Sequence, residues 1–202
     1  MINYNDIKQI NGWCSDEKID KMINLILDKK PINLVEIGVY CGKSLICQAL
    51  ALKENNIGKI YGIDSWESSD CIEFEQNSIA LEWWSKINLN DIYQDCLNNI
   101  KKSNVENFVQ ICKLKSTEFI HDINFEIDML HIDGNHNESS AYRDVDLYLP
   151  KVKKNGYIWF DDALWTTTQS AIKLMETKYN CVLIDKAYWD DKINYCALYK
   201  KQ

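Results

Sequence analysis

The stretch HIDGNHNESSAYRDVDLYLPKVKKNGYIWFDD, residues 131–162, indicates two buried strands that are joined by a helix and end in aspartates. Asp133 ends the first strand and is followed by a polar turn that contains His136. Asp161 and Asp162 end the second strand. Ligands bind at the carboxyl ends of the strands in an open α/β sheet, so these four side chains are predicted to share one site. Carboxylates beside a titratable base suggest metal-assisted chemistry on an oxygen atom.

The composition argues against several classes of protein and of partner. With 202 residues, 46% of them hydrophobic, the chain is long enough for one domain with its own core. A net charge of −7 and a pI near 5.0 argue against a nucleic-acid partner. The eight cysteines form no CxxC pair, and most lie in apolar segments, which favours free thiols over a zinc site or a disulfide framework. Because no leader-like or membrane-length apolar segment is present, we expect a soluble cytoplasmic protein without a membrane partner.

Short apolar segments alternate with amphipathic segments along the chain, which is typical of an α/β fold. We predict a Rossmann-like, seven-stranded, mostly parallel sheet with helices on both faces and an antiparallel hairpin at its C-terminal edge. The strands are predicted at 33–38, 59–64, 108–113, 127–133, 157–160, 180–186 and 194–200. Helices are predicted at 16–30, 44–54, 72–86, 90–102 and 170–179, and after the turn that contains His136.

Residues 1–202 are predicted to form a single domain. Its N-terminal segment, 1–30, combines a helix with a candidate lid, and the long connection 65–107 is expected on the acceptor side of the site. Residues 1–14 and 65–95 are the candidate lids because they surround the carboxyl edge of the predicted sheet.

A second motif, VEIGVYCGKS, occupies residues 35–44 after the first predicted strand. Gly38 and Gly42 allow the backbone to turn tightly and to approach a ligand. The spacing differs from the GxGxxG of dinucleotide-binding proteins and from the P-loop. Glu36 suits a cationic or hydroxyl-bearing ligand better than a pyrophosphate, and Asp64, at the end of the second strand, can accept both hydroxyls of a ribose. Each feature alone could be a simple turn or a helix cap, but their order and spacing favour a nucleoside site.

Taken together, VEIGVYCGKS, YGID, HIDGNH and FDD resemble the class I S-adenosylmethionine-dependent methyltransferases. The resemblance is to the metal-dependent O-methyltransferase branch, typified by catechol O-methyltransferase and by the macrocin-type sugar O-methyltransferases. It covers residues 33–165. It implies S-adenosylmethionine as the cofactor, together with Mg²⁺ or another divalent cation.

The resemblance also implies a role for each matching residue. The implied cofactor-binding residues are Glu36, Gly38, Tyr40, Gly42 and Ser44 around the methionine part, Asp64 with Ser65 and Trp66 at the ribose, Ser116 near the adenine, and Asp133. The implied metal ligands are Asp133, Asp161 and Asp162. The implied catalytic residues are His136, as the base, and Asp133. The chain departs from the family pattern at Asn135, where an aspartate is usual, and at Asp162, where the catechol enzyme has an asparagine.

These features predict methyl transfer to a hydroxyl of a sugar, sugar nucleotide or glycan, because a weakly nucleophilic hydroxyl needs a base and a cation. A catechol or phenolic acceptor and a non-catalytic cofactor-binding protein are alternatives. A nicotinamide-dependent oxidoreductase is disfavoured by the missing third glycine. Asp133 and Asp161 could instead cap helices, with His136 a turn residue. A homo-oligomer is possible.

Two further expectations concern side chains near the site. His131 alternates with apolar residues and is predicted to be a core histidine. The charged residues of the helix after the DGNH turn, among them Asp144 and Asp146, are predicted to form a solvated face opposite an apolar one. The seven tryptophans include Trp66, Trp83, Trp84 and Trp165, whose rings could stack on a sugar or an aryl acceptor or could simply pack the helices.

Overall fold

The computed structural model describes residues 7–72, 78–190 and 192–202, without the side chains of residues 78–80. The described strands form one seven-stranded sheet in the order β3-β2-β1-β4-β5-β7-β6. Their bounds are β1 Asn33–Ile37, β2 Lys59–Asp64, β3 Val109–Lys113, β4 Ile127–Ile132, β5 Val152–Phe160, β6 Cys181–Tyr188 and β7 Tyr195–Lys201. Strands β1 to β5 run parallel, whereas β7 is antiparallel to both of its neighbours. The predicted fold class is therefore confirmed.

The strand order reverses between β1 and β4, and the carboxyl ends of the central strands lie level at this point. Ile37 of β1 pairs with Ile63 of β2 on one side and with Ile132 of β4 on the other. Just beyond the strands, the amide of Asp133 donates to the carbonyl of Ile37 at 2.8 Å, and the amide of Asp161 donates to the carbonyl of Ile132 at 3.0 Å. The register therefore delivers the strand-end residues to one edge of the sheet, at the topological switch point where α/β folds bind ligands.

Helices cover both faces of the sheet, as predicted, and each face has its own apolar core. The helices are α1 Asp16–Lys29, α2 Lys43–Asn55, α3 Ser68–Cys71, α4 Ser78–Lys86, α5 Leu89–Lys102, α6 Ser116–Phe119, α7 Glu138–Tyr148 and α8 Gln169–Thr177. Helices α1, α2 and α5 pack on one face, and α7 and α8 pack on the other. Within the described residues, every helix is too short or too polar to cross a lipid bilayer.

Two predicted elements differ from the structure. Of the helix expected over 72–86, residues 78–86 form α4, Ile72 follows the end of α3, and residues 73–77 lie outside the described residues. Strand β5 begins five residues earlier than expected, because a shift in the β4–β5 register lets Val152 pair with Ile127 before the regular pairing starts at Tyr157. Asn155 adopts a left-handed φ of 63° within this strand. All eight cysteines are free thiols, and seven are buried.

Candidate active site

The glycine loop, residues 38–42, connects β1 to α2 at the switch point. Gly38 has a φ of 85°, and a Cβ at this position would lie 1.9 Å from the carbonyl oxygen of Asp133. A side chain here would therefore collide with the backbone at the end of β4. The sequence-based explanation, that glycine lets the loop approach a ligand, was incomplete, because the first requirement is close packing of two strand ends.

Asp64 holds the glycine loop from the end of β2. Its Oδ2 accepts hydrogen bonds from the amides of Val39 and Tyr40, both at 3.0 Å, and its Oδ1 accepts one from the amide of Trp66 at 2.8 Å. Burial raises the pKa of Asp64, although these three amides oppose the rise. A carboxylate offers about four lone-pair sites on its two oxygens, so this side chain can organise the loop and still accept a ligand hydroxyl.

Trp66, which the resemblance implied lies near the ribose, packs its side chain beneath the glycine loop. Its side chain is buried, its Nε1 donates to the carbonyl of Tyr40 at 3.0 Å, and its ring packs 4.8 Å from that of Tyr93. The ring therefore supports the glycine loop from below. Ser65 is partly exposed, and its hydroxyl accepts from the amide of Glu67 at 3.3 Å. Tyr40 is also partly exposed at the tip of the loop, with its ring 5.3 Å from Trp13.

Glu36 is fully buried beneath the glycine loop. Its Oε1 accepts from the hydroxyl of Ser44 at 2.7 Å, and its Oε2 accepts from the side-chain amide of Gln48 at 2.5 Å. Gly42, also buried, precedes these two residues as the N-cap of α2. The structure therefore places Glu36 and Ser44 in a network that ties β1 to α2, whereas both were predicted to surround the cofactor.

His131 is buried, as predicted, but two carboxylates lie close to its ring nitrogens. Its Nδ1 lies 3.1 Å from Oε2 of Glu36, and its Nε2 lies 3.7 Å from Oδ2 of Asp133. This side chain therefore links the carboxylate under the glycine loop with the one at the end of β4. Alternation along β4 predicted its burial but could not reveal this link.

The carboxylate cluster, defined as Asp133, Asp161 and Asp162, follows β4 and β5. The Nε2 of His136 lies 3.4 Å from Oδ1 of Asp133 and 3.4 Å from Oδ2 of Asp162. Burial disfavours a charged imidazole, but the two carboxylates outweigh it and raise the pKa of His136. Burial also raises the pKa of Asp162 to about 6, against the attraction of His136. The predicted histidine and aspartates are thus brought together at one edge.

The structure adds a cation that the sequence motifs did not indicate. Lys18 of α1 is 1% exposed, and its Nζ lies 3.4 Å from Oδ2 of Asp133 and within hydrogen-bonding contact of Oδ2 of Asp161. Burial opposes the charge of this ammonium, yet the attraction of Asp161 and Asp133 raises the pKa of Lys18 well above its usual range. The same ammonium lowers the pKa of Asp133. Lys18 therefore stays charged inside the cluster.

The residues present do not fit a divalent metal in this arrangement. Both oxygens of Asp161 are engaged, Oδ2 by Lys18 and Oδ1 by the amide of Asp162 at 3.1 Å. Among the described residues, the grouping whose possible ligand atoms all lie within 4.8 Å of one another is His131, Asp161 and Cys196, rather than the three aspartates. Bound Mg²⁺ requires free carboxylate oxygens and strict octahedral geometry. The ammonium of Lys18 takes up the oxygens that such an ion needs.

Lys18 could have been found by placing the sequence of α1 on a helix. It precedes the buried Met22 by four residues, and Ile19, Ile23 and Ile26 complete the same apolar face. A lysine on an apolar face signals a buried carboxylate partner, because an unpaired charge is too costly to bury. The partners themselves could not be identified, since they lie 115 and 143 residues away along the chain.

The turn between β4 and α7 is fixed by Asn135 and by Asp144. The side-chain amide of Asn135 donates to the carbonyl of Asp70 at 3.0 Å, a bond that the usual aspartate could not donate. Asp144 was predicted to be solvated, but it is 4% exposed and accepts from the hydroxyl of Ser116 at 2.6 Å. Burial raises its pKa to about 6. Ser116, the predicted adenine neighbour, thus lies at the start of α6 and is bonded to α7.

Aromatic rings surround the open side of the site. Trp165, which follows the carboxylate cluster, is 48% exposed and lies edge-on to His136 with the ring centroids 5.6 Å apart. Trp13 lies 5.3 Å from Trp83, so the N-terminal segment contacts the connection between β2 and β3. Both segments were predicted as lids, and that role stays a prediction. Parts of both segments, residues 1–6 and 73–77, lie outside the described residues.

Comparison with known proteins agrees with this geometry. Residues 35–163 match the family model of the methyltransferase domain. A candidate caffeoyl-CoA O-methyltransferase of Arabidopsis thaliana is 32% identical over 165 residues, which are 80% of this chain and 59% of that protein. An uncharacterised protein of Acanthamoeba polyphaga mimivirus is 27% identical over 67% of this chain and 53% of its own length. The chain thus spans between half and two thirds of the length of these curated relatives.

A solved structure shows the same fold. The O-methyltransferase TomG of Streptomyces achromogenes, involved in tomaymycin synthesis and solved with S-adenosylmethionine, superposes with a TM-score of 0.68 at 12% identity. The superposition covers 94% of this chain and 82% of TomG. The family match extends from the strand before the glycine loop to just beyond the carboxylate cluster, and so includes both of these parts of the site. The chain therefore belongs to the methyltransferase-domain family.

Proposed function

We propose that this protein is an S-adenosylmethionine-dependent O-methyltransferase that methylates a hydroxyl of a sugar, sugar nucleotide or glycan. The observation that carries the proposal is the position of His136, whose Nε2 faces two carboxylates at the switch point, beside an exposed tryptophan. Family membership supplies the expected donor. The glycine loop and Asp64 provide a nucleoside site on the adjoining strands.

The expected reaction follows from this placement. The acceptor oxygen attacks the sulfonium methyl in line, so that an O–C bond forms as the S–C bond breaks, and S-adenosylhomocysteine leaves with the electron pair. Neutral His136 keeps a proton on Nε2, towards the two carboxylates, and takes the hydroxyl proton on Nδ1. The imidazolium formed is stabilised by Asp133 and Asp162, each 3.4 Å from Nε2. A base placed in this way contributes about 10²–10⁴-fold to a rate.

A sugar acceptor is supported by the aromatic side of the site. An aliphatic hydroxyl is a weak nucleophile, and it gains more from a base than an acidic phenol does. The exposed ring of Trp165 offers an apolar face on which a sugar ring can stack next to His136. A phenolic acceptor is the second candidate, favoured by the likeness to the Arabidopsis protein, whose name specifies caffeoyl-CoA.

Assistance by Mg²⁺, which the resemblance implied, is a separate expectation. When bound, a divalent cation lowers the pKa of the acceptor hydroxyl. The carboxylate cluster does not fit such an ion, since both oxygens of Asp161 are engaged and those of Asp133 face Lys18 and His136. The reaction described above therefore relies on the chain's own side chains and includes no step at a metal.

The first experiment is calorimetric titration of the protein with S-adenosylhomocysteine and S-adenosylmethionine, followed by methyl-transfer assays with sugar nucleotides and catechols. We expect micromolar binding, about −8 kcal/mol, and transfer to a sugar hydroxyl. Absence of binding would exclude the methyltransferase proposal, and transfer to catechols alone would move the acceptor to the phenolic class.

The variant His136→Ala distinguishes an enzyme from a non-catalytic cofactor-binding protein. We expect kcat to fall by about 10²-fold or more, with cofactor affinity unchanged, because His136 handles the acceptor proton. His121→Ala is the matched control, since His121 is exposed and precedes the start of β4, whereas the carboxylate cluster follows the ends of β4 and β5. An unchanged kcat for His136→Ala would show that this histidine is not the base.

A further inference from the structure

The positive charge inside the carboxylate cluster comes from a residue of the chain itself. Lys18 reaches Asp133 and Asp161 from α1, and both Lys18 and Asp161 are 1% exposed. The cation lies against the carboxylates that follow β4 and β5, the strands that flank the catalytic edge. No sequence motif assigns Lys18 a role, and the proposed reaction has not used it.

We propose that Lys18 is the resident cation of this site, so that its ammonium replaces a divalent metal and methyl transfer proceeds without one. The proposal rests on the proposed function, because it concerns how the same site neutralises its carboxylates. It also explains why three aspartates can converge in an apolar setting. A buried carboxylate needs a cation or several hydrogen-bond donors, and Lys18 provides the cation for two of the three.

The ammonium is held in place by the helix that carries it. The hydroxyl of Ser15 caps α1 by accepting from the amide of Lys18 at 3.2 Å, and it donates to the carbonyl of Tyr188 at 2.8 Å. One turn later, Lys21 donates to the carbonyl of Lys186 at 2.5 Å. These bonds fix α1 against the end of β6, and they fix the direction from which Lys18 enters the cluster.

The surroundings of Lys18 favour a singly charged group over a hydrated ion. Cys14 and Cys196 are buried beside it, and the attraction of Lys18 opposes the effect of burial on the pKa of both thiols. The Trp189 ring centroid lies 6.0 Å from Nζ. Mg²⁺ usually keeps several waters, and this apolar wall offers few polar partners to order them. A dication placed next to the ammonium would also be repelled by it.

Lys18 acts on the reaction through Asp133 and is therefore a positioning residue. Oδ2 of Asp133 faces Lys18 at 3.4 Å, while its Oδ1 faces Nε2 of His136 at 3.4 Å. Fixing one oxygen of the carboxylate fixes the other, which orients the imidazole. A divalent ion bound by the same aspartates would be expected to compete with both contacts.

The test uses Mn²⁺ as the probe, with thermal denaturation and calorimetric titration of the wild-type chain, Lys18→Met and Lys29→Met. For the wild type we expect no binding at millimolar Mn²⁺ and no change in Tm. Lys18→Met removes the ammonium and leaves two carboxylates facing each other, so Mn²⁺ should bind and raise its Tm by roughly 5 °C or more. Lys29→Met, at the exposed C-terminal end of the same helix, should behave like the wild type.

The outcomes separate this proposal from the proposed function. Micromolar binding of Mn²⁺ by the wild type, lost in Asp161→Asn, would overturn the assignment of Lys18, and so would methyl transfer that a chelator abolishes and Mg²⁺ restores. If Lys18→Met does not fold even with Mn²⁺, the wild-type titration still decides. Titration with S-adenosylhomocysteine on the same samples tests the methyltransferase function independently, because its failure leaves the Mn²⁺ result unchanged.

Discussion

Two groups of buried and partly buried carboxylates lie at the same edge of the sheet, and they are neutralised in different ways. Below the glycine loop, Glu36 and Asp64 are bonded to a hydroxyl, a side-chain amide and backbone amides. In the carboxylate cluster, Asp133 and Asp161 are paired with the full charge of Lys18. The first group is stabilised by dipoles from nearby residues, and the second by one cation from a distant helix.

The difference shows which part of a site a sequence motif can specify. The partners of Glu36 lie eight and twelve residues away, in or just beyond the motif that contains it. The partners of Lys18 lie 115 and 143 residues away, and only the completed fold brings them together. The local partners are thus contained in or near the motif, although their contacts were not predicted, whereas the distant counter-ion lies far outside it.

The largest loss of stability is expected when the carboxylate cluster loses Lys18, and a smaller loss is expected when Glu36 loses one of its hydrogen-bond donors. Lys18→Met leaves two buried carboxylates without their cation, and we expect a loss of about 3–5 kcal/mol in the free energy of unfolding. Gln48→Met removes one dipole from Glu36, which keeps the hydroxyl of Ser44, and should cost about 1–3 kcal/mol. Urea denaturation near pH 7 measures both. Equal losses would show that the two groups do not differ in this way.

The double variant Lys18→Met/Asp161→Asn serves as the control for the larger effect. Neutralising Asp161 removes the most buried uncompensated charge, so this variant should recover part of the loss. If the double variant is less stable than Lys18→Met, the loss comes from packing of the lysine stem rather than from the unpaired charge.

A second variant, Asp64→Ala, tests whether the carboxylates near the glycine loop help to bind the cofactor. Asp64→Ala removes the acceptor of two glycine-loop amides, so we expect the affinity for S-adenosylhomocysteine to fall about 10–100-fold, or about 1.4–2.7 kcal/mol. Calorimetric titration gives the affinity.

Asp128→Ala provides a matched control for Asp64→Ala. Asp128 also accepts from two backbone amides, those of Ile32 and Asn33 at 2.8 and 2.7 Å, but at the start of β4 rather than at the edge where the ligand is expected. It should lower stability and leave the cofactor affinity unchanged. Unchanged affinity in Asp64→Ala would contradict the nucleoside-site assignment.

The sequence predicted the fold well because the fold depends on local patterns. Alternating apolar and amphipathic segments located all seven strands, and the antiparallel edge pair was predicted because a short connection joins its two strands. The early start of β5 was missed, since it results from a register shift against Ile127 that only the paired strand reveals. The short helix α3 was not predicted, because four residues are too few to show amphipathic periodicity.

The site was predicted as a set of residues but not as a network. The motifs placed Asp64, Asp133, His136, Asp161 and Asp162 at one edge, and the structure brings them there. The motifs did not distinguish side chains that face a ligand from those that support a loop, as the buried Glu36, Ser44 and Trp66 show. Their direction depends on packing between α2, α5 and the sheet, which a linear pattern does not contain.

Asp144 provides the smallest and most specific test, because it is a buried carboxylate with neither a full counter-ion nor several amides. Its pKa is raised to about 6, mainly by burial, so the folded state holds its proton more tightly than the unfolded state does. Its contribution to stability is therefore complete below about pH 4 and is lost as the pH rises through 6. Asp144→Asn keeps an oxygen for the hydroxyl of Ser116 and cannot ionise. We expect it to match the wild type at pH 4 and to be more stable by about 1–3 kcal/mol at pH 7.5.

Asp146, two residues further along α7, is the control for Asp144, because its pKa is shifted in the opposite direction. Asp146 accepts from Lys178 at 2.6 Å and from the hydroxyl of Tyr179 at 2.7 Å, and these contacts lower its pKa. Asp146→Asn should therefore be slightly less stable than the wild type at pH 7.5, where Asp144→Asn is more stable. Urea denaturation at both pH values distinguishes the two. If Asp144→Asn gained no stability at pH 7.5, a single hydroxyl would be sufficient to hold a buried carboxylate in its charged form, and a cation such as Lys18 would not be required on electrostatic grounds.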